Sequence, residues 1–210
     1  TIDSINYKQI NTNEYNQITI KDIKHDYKVS SSKTGSVLLG DSEAKVTIVK
    51  WTDFQWPYCA KSISLIDEIL EKYPNNVNVE IKNFPLNFHK QAYKAAQYAL
   101  AAHQQGKFQE MYHTIFLDYK KLKENPDWPL EIAQSLGLDM NQFVKDFNSD
   151  KIKSQINIEM EQLKNANFEK ISVPKFAIYS SENQEIREIT VNRTIEDFSK
   201  LINEELDLIN

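Results

Sequence analysis

The chain of 210 residues has one cysteine, Cys59. No intrachain disulfide can form, and a lone thiol with four scattered histidines offers none of the close ligand spacings of a zinc site. Basic clusters are also missing. The 25 Lys and Arg residues stand against 30 Asp and Glu, a formal net charge of −5, and no nucleic-acid partner is expected of such a chain. No apolar run approaches the roughly 20 residues that cross a bilayer, so no transmembrane segment is expected. There is no internal repeat and no low-complexity tract, and nothing calls for a cofactor. The chain opens on Thr1 without an apolar leader segment. The expectation is that an export signal has been removed.

What is present is enough for a packed core: 40% of residues are hydrophobic and 11% aromatic. Residues 1–34 are polar and rich in Asn and Lys, with Ile18, Ile20, Ile23, Tyr27 and Val29 sufficient for one short strand or helix. At Val46 the character changes. VTIVKW is β-branched and aromatic, the composition of a strand buried on both faces. It runs into FQWPYC, Phe54 to Cys59. Pro57 suits the first position of a helix, where a missing N–H costs nothing. Cys59, Ile63, Ile66 and Leu70 then fall on one helical face, and Tyr73-Pro74 stops the helix. NVNVEIKNF alternates and predicts a second strand, closed by Pro85.

From Phe88 to Phe168 the periodicity is helical. AYKAAQYALAAH carries a small-residue face, Gly106 interrupts, and Phe108 to Tyr119 resumes the helical spacing. Asp139 is placed to cap a further helix. After this block come KFAIY, a polar turn at Ser181 to Gln184, and EIREITV, which together predict a hairpin. Thr194 caps a last helix through Phe198, Leu201, Ile202 and Leu206. The order β-α-β, helical block, β-β-α predicts an α/β thioredoxin-like fold with an inserted all-helical domain. The predicted division is an extension at 1–34, a first half at 35–87, the insertion at 88–168 and a second half at 169–210.

Three stretches, in order, resemble the DsbA-like family of thioredoxin-fold disulfide oxidoreductases. LLGDSEAKVTIVKWTDFQWPYC is similar to the family's first strand and redox loop. FPLNFHKQAYKAAQYALAAHQQGKFQEMYHTIF is similar to the end of its second strand and its first inserted helices. SVPKFAIY is similar to the strand that begins at the family's cis-proline, here Pro174. The resemblance covers residues 36–208. It implies a periplasmic or otherwise exported protein whose partners are unfolded or cysteine-containing polypeptides.

The same comparison shows what is missing. Dithiol exchange needs a nucleophilic thiolate and a second thiol that resolves the mixed disulfide. The position of the nucleophile holds Trp56, a poor N-cap as well as a non-nucleophile, and Cys59 matches the resolving position. The family's buried acid, six residues before the nucleophile, is replaced by Lys50. A lysine beneath a thiol is expected to favour its thiolate, although Lys50 can instead snorkel to the surface or pair with Asp53.

Three functional readings compete. One is a redox-impaired polypeptide-binding member whose groove is built from Trp56, Pro57, Tyr58, Val173 and Pro174. Another is a single reactive thiol at Cys59, activated by Lys50 and the helix N-terminus. In the third, Trp56 replaces the first cysteine of an active dithiol oxidoreductase. Against all three stand structural readings: Cys59 as a small core hydrophobe, Trp56 as a plug, and His89, His103 and His113 as satisfied helix residues.

Overall fold

The computed structural model describes residues 27–183 and 185–209. Most of the polar extension expected over 1–34, including the segment around Ile18 to Ile23, lies outside the described residues. The strands are β1 (Val29–Ser31), β2 (Val37–Gly40), β3 (Val46–Thr52), β4 (Val77–Asn83), β5 (Lys175–Ser180) and β6 (Arg187–Glu188). They form one sheet in the order β1-β2-β4-β3-β5-β6. β3 lies parallel to β4, with Lys50 opposite Ile81, and antiparallel to β5, with Lys50 opposite Phe176. All seven residues of β3 are buried. Paired on both edges and covered on both faces, it needs the near-continuous apolar sequence it has.

β4 departs from its alternating pattern. Asn78, Glu80 and Lys82 are buried together with the valines and Ile81 between them. Glu80 and Lys82 are bonded at 3.0 Å, and Glu80 also accepts from Ser32 at 2.7 Å and Thr34 at 2.8 Å. The β1–β2 turn supplies those hydroxyls, so the polar side of β4 is covered without leaving a charge unpaired.

α1 (Pro57–Lys61) and α2 (Ile63–Lys72) follow β3. The expected single helix is broken at Ser62, whose Oγ donates to Cys59 O at 2.7 Å. Cys59, Ile66 and Leu70 are buried and Ile63 is half-buried. Between β4 and β5 come α3 (Ala92–Gln104), α4 (Phe108–Leu117), α5 (Lys121–Glu124), α6 (Trp128–Ser135), α7 (Met140–Asn148) and α8 (Asp150–Lys164). Asp139 caps α7 by accepting from Asn141 N at 2.9 Å and Gln142 N at 3.1 Å. α8 is fastened to the strand ends that carry the site. Glu159 accepts from Asn83 N at 2.7 Å and Asn83 Nδ2 at 2.8 Å, and its carbonyl accepts from Trp51 Nε1 at 3.0 Å. Trp51 and Trp128 are core residues.

The predicted hairpin is shorter than EIREITV suggests, with only Arg187 and Glu188 in β6. Glu188 is held by Lys175, and Arg187 by Glu205. α9 (Ile195–Ile209) closes the chain and packs against α2, β3 and β5. Its first turn is capped by Thr194 Oγ1, which accepts from Asp197 N at 3.2 Å.

Candidate functional site

The loop from β3 into α1 is organised by Asp53. Its buried carboxylate accepts from Gln55 N at 2.7 Å, Leu86 N at 2.7 Å and His89 Nδ1 at 3.0 Å. Burial pushes its acid strength down, raising the pKa, while these hydrogen bonds oppose the shift. Gln55 adds a second stitch, accepting from Gln91 N at 2.6 Å. Residues 53–56 are thereby tied to residues 86–91. His89 precedes α3 rather than lying within a helix, and it belongs to this site.

Trp56 occupies the N-cap of α1, with Pro57 after it, and its side chain makes no capping bond. The indole is half-buried and packs on rings instead. It lies 5.4 Å from Tyr58, 5.4 Å from His89 and, edge-on, 6.4 Å from Phe88. Tyr58 is 54% exposed and Phe88 68% exposed. The loop therefore presents an aromatic surface where the redox position would be. Trp56 is neither a free-standing side chain nor a fully buried plug.

Cys59 lies beneath this surface with no exposed area. Its Sγ accepts from Asp53 N at 3.4 Å. Burial pushes the thiol's pKa up, and the positive charge of Lys50 opposes the shift without reversing it. This corrects the expectation that Lys50 makes Cys59 a ready thiolate, because desolvation outweighs the neighbouring charge. Lys50 itself neither reaches the surface nor pairs with Asp53. It is fully buried, and its Nζ donates to Tyr112 Oη at 2.9 Å while lying 5.5 Å from the ring centres of Tyr112 and Phe116. Burial lowers its pKa to about 8; Cys59 and Asp67 pull it back up, and Arg193 pushes it further down.

A second buried set flanks this lysine. Asp67 accepts from Tyr27 Oη at 2.8 Å and faces His113 Nε2 at 3.1 Å, while His113 Nδ1 faces Gln109 O at 3.0 Å. His113 thus joins α4 to α2 as a structural contact.

Val173 and Pro174 are both buried, and the peptide between them is cis. Arg193 Nη2 donates to Pro174 O at 2.9 Å, and its guanidinium lies 5.9 Å from the ring centre of Phe176. Two hollows meet at Arg193. One of about 230 Å³ is walled by Pro174, Lys175 and Phe176; the other, about 380 Å³, by Tyr58, Lys61 and Leu65. Trp56 lines neither. The five predicted groove residues therefore divide into a surface at Trp56 and Tyr58, with half-buried Pro57 between them, and a buried pair at Val173 and Pro174, and Arg193 stands in the walls of both hollows.

Arg193, His89, Phe88 and Tyr112 are the members of this region that the sequence does not reveal. The signals available were an Arg immediately before the Thr194 cap and an aromatic pair, NFH, just after the second strand. Among the described residues no cluster of His, Cys, Asp and Glu could hold a metal ion, and no helix is long and apolar enough to cross a membrane.

A family model described as thioredoxin matches residues 32–204. Among solved structures, a thioredoxin-like oxidoreductase from Silicibacter pomeroyi is similar with a TM-score of 0.64 at 22% identity, over 85% of this chain and 93% of that one. BdbD from Bacillus subtilis gives 0.65 at 16% identity, over 87% and 100%. Alpha-DsbA1 from Wolbachia pipientis gives 0.64 at 19%, over 82% and 94%. At these identities the likeness is one of fold. Curated relatives include the Na(+)/H(+) antiporter NhaA 1 of Mycolicibacterium gilvum, 30% identical over 125 residues, 58% of this chain and 20% of that protein. NhaA 3 of Salinispora tropica is 35% identical over 105 residues, 50% of this chain and 16% of that protein. The matched segment spans a fifth or less of these antiporters.

Proposed function

This chain belongs to the thioredoxin family and has the fold of its DsbA-like branch, and from that premise we propose that it is a redox-impaired member that binds unfolded or cysteine-containing polypeptides. The observation that carries the reading is the contrast between Trp56 and Cys59. The only thiol is enclosed, while the nucleophile position holds an indole set among the exposed rings of Tyr58 and Phe88. Exposed aromatics anchored on a rigid loop are strong binding anchors, because they bury large area with little loss of side-chain freedom. The loop is rigid because Asp53 and Gln55 stitch it to residues 86–91. An extended chain crossing this surface can also pair with backbone near Pro174, in the manner of strand addition. The proposal includes a periplasmic or otherwise exported location, which rests on the resemblance to envelope proteins.

The reactive-thiol reading has one observation in its favour, the Lys50 charge acting on Cys59, and burial opposes it more strongly. Titrating a labelled unfolded polypeptide against three proteins separates the two. Binding predicts that Trp56→Ala weakens association about tenfold or more, as for an aromatic hot spot, while Cys59→Ala leaves it unchanged. The opposite pattern, loss with Cys59→Ala alone, would replace the binding reading with monothiol chemistry.

A further inference from the structure

Arg193 is the cation that faces both parts of the divided surface. Its bond to Pro174 O and its place over Phe176 fix the plane of the guanidinium. That bond uses a single N–H of the fork, and the other donors remain for a ligand. Among the described ion pairs Arg193 has no carboxylate partner, whereas nearby Lys175 is taken by Glu188. Glu188 also accepts from Glu169 N at 3.0 Å. In the Pro174 hollow this leaves Arg193 and Lys170 against Glu169. The Tyr58 hollow is less favourable to an anion, because Glu68 and Glu196 line it. Behind the loop, buried Lys50 feels the charge of Arg193, and a ligand carboxylate at Arg193 would offset part of that repulsion.

Building on the polypeptide-binding reading, we propose that Arg193 sets specificity, reading an acidic side chain of the bound polypeptide in the hollow beside Pro174. The aromatic surface at Trp56 supplies the apolar anchor, and the guanidinium supplies charge-assisted hydrogen bonds to the carboxylate.

Two peptides identical except for Glu or Gln at one position, both amidated at the C-terminus, test this by fluorescence anisotropy at low and high salt. With the wild-type chain the Glu peptide should bind about tenfold tighter at low salt, with the preference shrinking as salt rises. Arg193→Gln should abolish the preference, so that the Glu and Gln peptides bind alike, and Arg193→Lys should keep part of it. Circular dichroism and thermal melting establish whether Arg193→Gln folds. If it does not, Arg193→Lys and the wild-type salt dependence decide. Trp56-dependent binding that treats Glu and Gln alike, or a preference that survives Arg193→Gln, overturns this inference and leaves the binding function standing. Binding that is absent, or indifferent to Trp56→Ala, overturns the function itself. Equal tightening of the Glu and Gln peptides when a free C-terminus replaces the amide, with no preference between them, assigns the carboxylate to a chain end and overturns the side-chain reading.

Discussion

Lys50 Nζ is hydrogen-bonded to Tyr112 Oη at 2.9 Å in the interior of the molecule. The lysine that the resemblance sets at the family's acidic position is therefore bonded to a phenol of α4. Its charge still reaches Cys59, but its hydrogen-bonding partner belongs to the inserted helices.

The burial of Lys50 makes stability depend on pH in a defined way. Lys50 titrates near 8 in the folded chain against a reference of 10.5. Between those values the unfolded chain binds more protons, so the lysine's contribution to stability rises with pH, by ~3 kcal/mol across the window. Cys59 and Tyr112 titrate above their usual values and act in the opposite direction, but both remain in a Lys50→Met variant. Urea unfolding at several pH values should show wild type gaining on Lys50→Met between pH 8 and 10.5. A constant difference would mean the lysine is not buried as a charge.

Alkylation of Cys59 should be slow. The thiol is enclosed and its pKa is raised. Native labelling should lag the unfolded chain by roughly 100-fold or more, the factor set by a local opening of about 3 kcal/mol. Its pH profile should rise above that of an ordinary thiol, and Lys50→Met should move it higher still, because the lysine's charge opposes the shift. Fast labelling with a depressed profile would restore the activated monothiol.

Asp53 should be a keystone of the loop. Its carboxylate receives two backbone N–H groups and the ring of His89. Asp53→Asn turns part of that acceptor into a donor facing donors, with an expected cost of ~2 kcal/mol in denaturant unfolding. Peptide affinity should fall as well, because His89 is one wall of the Trp56 cluster. A neutral effect on both would show that the loop holds its shape without this acid.

Trp56→Cys should form a disulfide with Cys59 in mild oxidant. The two positions stand three residues apart at the start of α1, and the resemblance matches them to the family's redox pair. Mass spectrometry of the oxidised variant reads the loss of two hydrogens. Persistence of two free thiols would undermine the alignment of the loop.

Much of this was legible in order along the chain. VTIVKW is a strand buried on both faces because a central strand covered on both sides requires that composition. Pro57 opens α1 and Asp139 caps α7 through chemistry carried by single residues. β4 was legible as a strand but not as a fully buried one, since the hydroxyls that satisfy Glu80 come from Ser32 and Thr34, far away in sequence. EIREITV has strand composition, yet only Arg187 and Glu188 form a strand, with Ile189 N adding one bond to Phe176 O.

The site divides along the same line. One cysteine, and by resemblance a tryptophan at the nucleophile position and a lysine in place of an acid, are properties of the sequence alone, and the single thiol excludes a dithiol cycle within these 210 residues in any conformation. Whether the remaining thiol is activated depends on the balance between desolvation and the charge of Lys50, which depends on what encloses them both. The same holds for His89 and Arg193. Their neighbours Asp53 and Pro174 are remote in sequence, and only the packing of the loop against residues 86–91, and of the α9 entrance against β5, brings them together.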